Sequence, residues 1–185
     1  MINDIIDFNI EDLLSLKPFE VKNTFNLLND LSILKNVLPE LIDLKGVDET
    51  KETFHKDNYL HTIQVVENTY YVTENKAIRL ASILHDIGKA TTKKWIDNVG
   101  WSFHNHEYVG SKMLKSIFER LDINNDYYDL VYKIVLYHGI PKEFGKRGQV
   151  IVSESALRRF DKDLGNDLES LLLFLKFISL LSFKI

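Results

Sequence analysis

Residues 82–95 read SILHDIGKATTKKW. Apolar residues lead into adjacent His85 and Asp86, Gly88 follows, and lysines gather at 89, 93 and 94. Upstream, the apolar positions of RLASIL recur at three- and four-residue intervals, which predicts a helix over 76–88 carrying His85 and Asp86 near its end. Adjacent helical residues point about 100° apart, so both side chains reach one ion only over the helix edge, where an opening turn helps. Gly88 supplies the end of that helix.

The same periodicity recurs at 11–16, 21–36, 58–73, 106–121, 125–138, 153–163 and 167–182, which predicts an all-α protein. Pro18, Pro39, the Gly46 region, Gly100 and the stretch HGIPKEFGKRGQ from His138 to Gln149 punctuate it, the last being the expected exposed loop. Val150, Ile151 and Val152 are thin support for a strand. With 185 residues, 45% of them hydrophobic, the chain has enough apolar material for one substantial core.

Composition excludes several chemistries. Cysteine is absent, which removes disulfides, cysteine nucleophiles and thiolate metal sites and agrees with a cytoplasmic location. The first residues, MINDIIDFNIEDL, lack the basic head and cleavage pattern of a signal peptide. A net charge of −4 argues against a broadly electropositive nucleic-acid surface but leaves room for local patches at Lys93/Lys94 and at Lys142, Lys146 and Arg147. The apolar run LLLFLKFISLLSF, interrupted by Lys176, falls short of the roughly 20 residues of a membrane span. It reads as a core helix or as a surface for a homodimer.

Six histidines occur, at 55, 61, 85, 104, 106 and 138. His55 and His104 read as ordinary hydrogen-bonded residues. His61 lies beside the core face of YLHTIQVVENTYYV, His106 opens the helix HEYVGSKML, and His138 closes DLVYKIVLYHG. Helix-terminal histidines on packed elements can be aimed into a shared cleft. Imidazoles and carboxylates together suit zinc, manganese, iron, cobalt or nickel. A His-Asp pair alone is weak evidence. Set between an upstream helical histidine and a later HxxxG and helix-terminal histidine, it becomes specific.

In that order, and with the segments LPELIDLKGV, FHKDNYLHTIQVVENT, ASILHDIGKATTKKW, GWSFHNHEYVGSKM and SESALRRF, the chain resembles the HD-domain phosphohydrolase superfamily over residues 36–163. Within it, the sequence is most similar to the HD region attached to bacterial CCA-adding tRNA nucleotidyltransferases. The resemblance implies a helical-bundle HD domain over 51–185, with 1–50 a helical extension packed on it. It implies that His61, His85 and Asp86 are metal ligands, with Asp86 able to bridge two ions, and that His106 and His138 complete a second position. The implied cofactor is one or two divalent ions: Mn, Fe, Ni, Co or Zn, with Mg also admitted.

The implied reaction is hydrolysis of a phosphate monoester or phosphodiester by metal-activated water, with a nucleotide or cyclic nucleotide as the expected substrate. Asp86 and Lys89 are the catalytic candidates. Lys89, Lys93, Lys142 and Arg147 are the substrate-binding candidates. Trp101 and Phe103 are candidates both for stacking on a base and for the core.

Two departures from the family pattern qualify this. A further aspartate is expected on the last core helix, and Phe177 stands at the corresponding place; Asp161, Asp163 and Asp167 lie a helix or a turn too early. The residues before position 50 contain no glycine-rich phosphate loop, so CCA addition is not expected of this chain. The alternative reading is a catalytically degenerate HD module that binds a nucleotide, RNA or a protein partner.

Overall fold

The computed structural model describes residues 9–46, 57–98, 100–139, 158 and 161–182, with the backbone alone at 177 and 179–182. The described residues are predominantly helical, as the periodicity predicts. The expected loop and basic cluster at Lys142, Lys146 and Arg147, the short strand at 150–152 and most of the helix at 153–163 lie outside them, as does His55.

Four short helices open the fold: α1 (Ile10–Leu14), α2 (Pro18–Asp30), α3 (Ile33–Val37) and α4 (Pro39–Ile42). The run expected over 21–36 is broken between α2 and α3, where Ser32 takes a left-handed conformation at φ 59°. Prolines open α2 and α4, where a missing N–H costs nothing. Then come α5 (Asn58–Val72), capped by the Asp57 carboxylate on the Leu60 N–H, and α6 (Lys76–Leu84), capped by the Asn75 side chain on the N–H groups of Ala77 and Ile78.

α6 is the central helix. Every residue from Ala77 to Leu84 is buried, and α1, α5, α9 (Tyr128–Tyr137) and the last helix, α10 (Leu168–Ser182), all pack against it. A helix covered on all sides has to settle its polar members internally. Arg79 does so by donating to four backbone carbonyls, those of Leu14 (2.8 Å), Thr73 (2.7 Å), Leu16 (3.3 Å) and Tyr70 (3.4 Å), with its guanidinium stacked 4.2 Å from the Tyr70 ring. Tyr70 in turn donates its hydroxyl to Leu13 O at 3.0 Å. These bonds tie α1 to the central helix, and α2 packs along α5. The buried residues of α1–α4 and of the later helices form one continuous core.

After α6 the chain turns through His85–Gly88 into the single-turn helix α7 (Lys89–Thr92). An antiparallel hairpin follows, β1 (Lys94–Ile96) with β2 (Gly100–Ser102), pairing Trp95 with Trp101. α8 (His106–Arg120) and α9 then pack on each other, and a 3-10 turn at Asn125–Tyr127 leads into α9. α10 lies against α5, α6 and α9 with Leu171 and Phe174 buried. Among the described residues no helix is long and apolar enough to cross a membrane.

Candidate metal centre

The helix expected over 76–88 ends at Leu84. The turn that opens there lets His85 and Asp86, which a continuing helix would point apart, face the same space. His85 Nε2 lies 3.2 Å from Asp86 Oδ2. His61, one turn into α5, brings its Nε2 to 3.9 Å from the same oxygen. His106, the first residue of α8, and His138, just past α9, approach the other oxygen: their Nε2 atoms lie 3.4 Å and 3.3 Å from Asp86 Oδ1. All five expected ligands therefore meet, in two trios that share Asp86.

Gly88 has a different task from ending the helix. Its backbone is ordinary right-handed helix, φ −69°, so no special conformation calls for glycine. A Cβ there would lie 2.1 Å from His106 O and 2.7 Å from Gly110 N. The absent side chain lets the turn lie directly on the start of α8, and that contact sets His106 beside Asp86.

The rings are oriented by the backbone. His85 Nδ1 donates to Ser82 O (2.9 Å), His106 Nδ1 to Phe103 O (2.9 Å) and His138 Nδ1 to Val135 O (2.8 Å). A carbonyl can only accept, so each Nδ1 carries a hydrogen, and Nε2 is the atom each ring presents to the cluster. The Glu107 carboxylate also lies 3.2 Å from His106 Nδ1, an outer partner of the kind that raises a ligand's basicity. The Nε2 atoms of His106 and His138 are 3.2 Å apart. Two lone pairs at that distance repel unless a proton or a cation lies between them. His85 Nε2 is buried without a hydrogen-bond partner, another acceptor set for something cationic.

Distances test the fit. A tetrahedral site with ligands at about 2.0–2.1 Å has ligand–ligand edges of roughly 3.3–3.4 Å. The trio of Asp86 Oδ1, His106 Nε2 and His138 Nε2 has edges of 3.2, 3.3 and 3.4 Å. The residues present fit a divalent ion there.

Electrostatics agree. Burial pushes the Asp86 carboxyl upward, yet the pull of His85 and Lys89, with the hydrogen bonds of His106 and His138, holds it well below its ordinary value, so it stays ionised. Burial pushes His138 down, and His85 and His106 add to this against the attraction of Asp86, so that ring favours its neutral, ligating form.

Lys89 belongs to the same cluster. Its ammonium lies 2.9 Å from Asp86 Oδ2 and donates to Asn58 Oδ1 at 2.9 Å. Asn58 was not among the expected site residues. It sits one turn before His61 on the same helix, and its Nδ2 is buried without a partner. The signal available was the i, i+3 spacing to His61 of a polar residue that the helix buries.

The other expected site residues are distributed differently. The Lys93 ammonium is engaged elsewhere, 4.3 Å from the Trp101 ring and donating to Gly46 O at 3.4 Å. Lys142 and Arg147 lie outside the described residues, and His104 is exposed. On the last helix, the side chain of Phe177 is outside the description, and the aromatic residue found against the site is Phe174, whose ring packs edge-on to His85 at 5.7 Å. Asp163 accepts from the Tyr137 hydroxyl and Asp167 pairs with Lys133, so both are engaged elsewhere. Asp161 is exposed, and none of the three joins either trio.

The family model for the HD domain matches residues 58–172, and the chain belongs to that family. Curated relatives carry the name Multifunctional CCA protein: that of Shewanella frigidimarina is 33% identical over 142 residues, 75% of this chain and 32% of the relative. That of Hahella chejuensis is 31% identical over 118 residues, 62% and 26% of the two chains. That of Mannheimia succiniciproducens is 31% identical over 146 residues, 75% and 34%. The chain thus spans about a third of the length of the curated relatives it matches.

Proposed function

We propose that the chain is a metal-dependent phosphohydrolase acting on a phosphate monoester or phosphodiester of a nucleotide or cyclic nucleotide. The observation that carries this is the Asp86 carboxylate, buried and ionised, with a pair of imidazole Nε2 atoms facing each of its oxygens. His61, His85, Asp86, His106 and His138 would hold one or two divalent ions. An ion held there supplies Lewis acidity, which makes water a nucleophile at neutral pH and offsets charge on phosphate oxygens.

The chain's own residues do the rest. Asp86 supplies the negative charge that draws a cation into a buried site. Lys89, half-buried and fixed by Asn58 Oδ1, holds its ammonium at the cluster's edge, where a phosphate oxygen gains a charge-assisted hydrogen bond. The name of the relatives does not transfer a substrate, because the match covers about a third of their length.

The test is turnover of nucleotides, cyclic nucleotides and generic phosphate esters with Mn, Ni, Co, Mg and Zn, compared with Asp86→Ala. Hydrolysis that requires both added metal and Asp86 is the expected result, and its absence across the panel would sink the reading. One observation favours the alternative, a module that binds without turnover: an apolar ring, Phe174, packs edge-on against His85 within the site. Stoichiometric metal without hydrolysis of any panel member would establish that alternative.

A further inference from the structure

The β1–β2 hairpin carries a chemistry that the metal centre does not use. Trp95 and Trp101 are direct cross-strand partners and so share a face, with ring centroids 5.2 Å apart. Lys93 and Phe103 flank the two strands, and the Lys93 ammonium lies 4.3 Å from the Trp101 ring while donating to Gly46 O at 3.4 Å. Both tryptophans are exposed, Trp95 by 52% and Trp101 by 37%. They are also the only tryptophans in the chain.

Two lysines one helical turn apart join this face to the metal centre. Lys89, bonded to Asp86, lies 5.8 Å from the Phe103 ring, and Lys93 lies 4.3 Å from the Trp101 ring. One helical turn advances about 5.4 Å and two strand residues about 6.6 Å. The lysine pair and the aromatic pair therefore run in step, from the buried carboxylate outward to the exposed indoles. Phe103 anchors the inner end, since its carbonyl accepts from His106 Nδ1.

We propose that this hairpin face is the base-recognition ledge of the site: a nucleoside monophosphate places its phosphate at Lys89 and stacks its base on one indole of the edge-to-face Trp95–Trp101 pair, with Lys93 adding positive charge beside the rings. An indole face stacks on any base, and a flanking ammonium complements the negative charge of a nucleotide, a combination that a sugar phosphate would not need. The inference rests on the phosphohydrolase reading for where the phosphate sits, and it names Trp101 and Trp95 as specificity residues for that reaction.

Because both tryptophans lie on the ledge, the intrinsic fluorescence of the full chain reports on it alone. Adenosine 5′-monophosphate, titrated with excitation at the red edge of the indole band, is expected to quench saturably. Ribose 5-phosphate is expected to quench at least about tenfold more weakly. The quench is read with a chelator present and hydrolysis with added metal, so loss of hydrolysis and loss of the ledge are separately visible.

Trp101→Ala, read through Trp95, weakens adenosine monophosphate binding about tenfold and leaves ribose phosphate unchanged. Trp101→Phe retains most of the preference, which a hairpin that had merely unfolded would not do. Equal quenching by the two ligands, or none by the nucleotide at millimolar concentration, overturns the ledge. Quenching with no metal-dependent hydrolysis leaves the ledge standing and sinks the hydrolase.

Discussion

The two oxygens of Asp86 face different surroundings. On the Oδ1 side, His106 and His138 are both buried, and their Nε2 atoms and the oxygen form a triangle of tetrahedral dimensions. On the Oδ2 side the geometry is looser, with His61 at 3.9 Å and partly exposed. A resident cation, the Lys89 ammonium, already neutralises that oxygen at 2.9 Å, and Phe174 covers His85. On the proposed reading, the Oδ1 trio would hold an ion without rearrangement, whereas the Oδ2 side already faces a cation of the chain itself. The lesson is that five candidate ligands in the right order do not make two equal positions. The Oδ1 side should take the first ion, and the Oδ2 side a weaker second.

The largest expected effect removes what the halves share. Asp86→Ala strips both trios of their carboxylate and leaves Lys89 without its partner. Metal content of the purified protein should fall to background, and turnover by about a hundredfold to a thousandfold, the scale of losing a central electrostatic group. Elemental analysis beside the kinetic assay checks this, and retention of one equivalent would show a site that does not depend on Asp86.

Gly88→Ala comes next and is directed at one half. The added methyl would sit 2.1 Å from His106 O, so the turn and α8 must separate. Overpacking of this kind costs about 1–3 kcal/mol, readable as a lowered midpoint in urea unfolding. His106 is displaced while His61 and His85 keep their places, so the first metal equivalent should weaken more than the second. Equal weakening of both would mean that the half-sites are not independent.

A direct comparison of ligands follows. His106→Ala should weaken the first equivalent by at least about a hundredfold, whereas His61→Ala should leave it within about tenfold and affect the second. Isothermal titration with a transition metal under matched conditions separates the two equivalents. The reverse ranking would assign the tighter site to the Oδ2 side.

Much of this cluster is legible in the sequence because its members sit at recognisable helix positions: His61 in a periodic run, His85 and Asp86 at a helix end, His106 and His138 at termini. The helices follow from their apolar spacing for the same local reason. What sequence reasoning missed depends on tertiary choice. The last helix is apolar on nearly every side from Leu171 to Ile178, so its period does not select the face that meets the site. The structure turns Phe174 to His85, while the side chain of Phe177, read at the place of an expected aspartate, lies outside the described residues. The hairpin hides in two three-residue strands, although Asn98 and Gly100 at positive φ mark its turn. Gly88 was legible as a glycine but not as a contact, because the atoms it makes room for belong to a helix some twenty residues on.

The smallest effect reaches furthest into the comparison. Lys89→Met keeps the length of the side chain and removes the charge at Asp86 Oδ2. If the ammonium occupies electrostatic space that a second ion would use, the second equivalent should tighten by about tenfold, while the first, bound through Oδ1, stays nearly constant. The same change removes a donor from the phosphate path, so turnover should fall even as metal binding improves. A variant that merely loosened the turn would lose both together. Opposite signs in metal affinity and turnover identify Lys89 as a group that competes with a cation in the free protein and serves the phosphate in the bound one. Parallel losses would assign it to holding the His85–Gly88 turn in place.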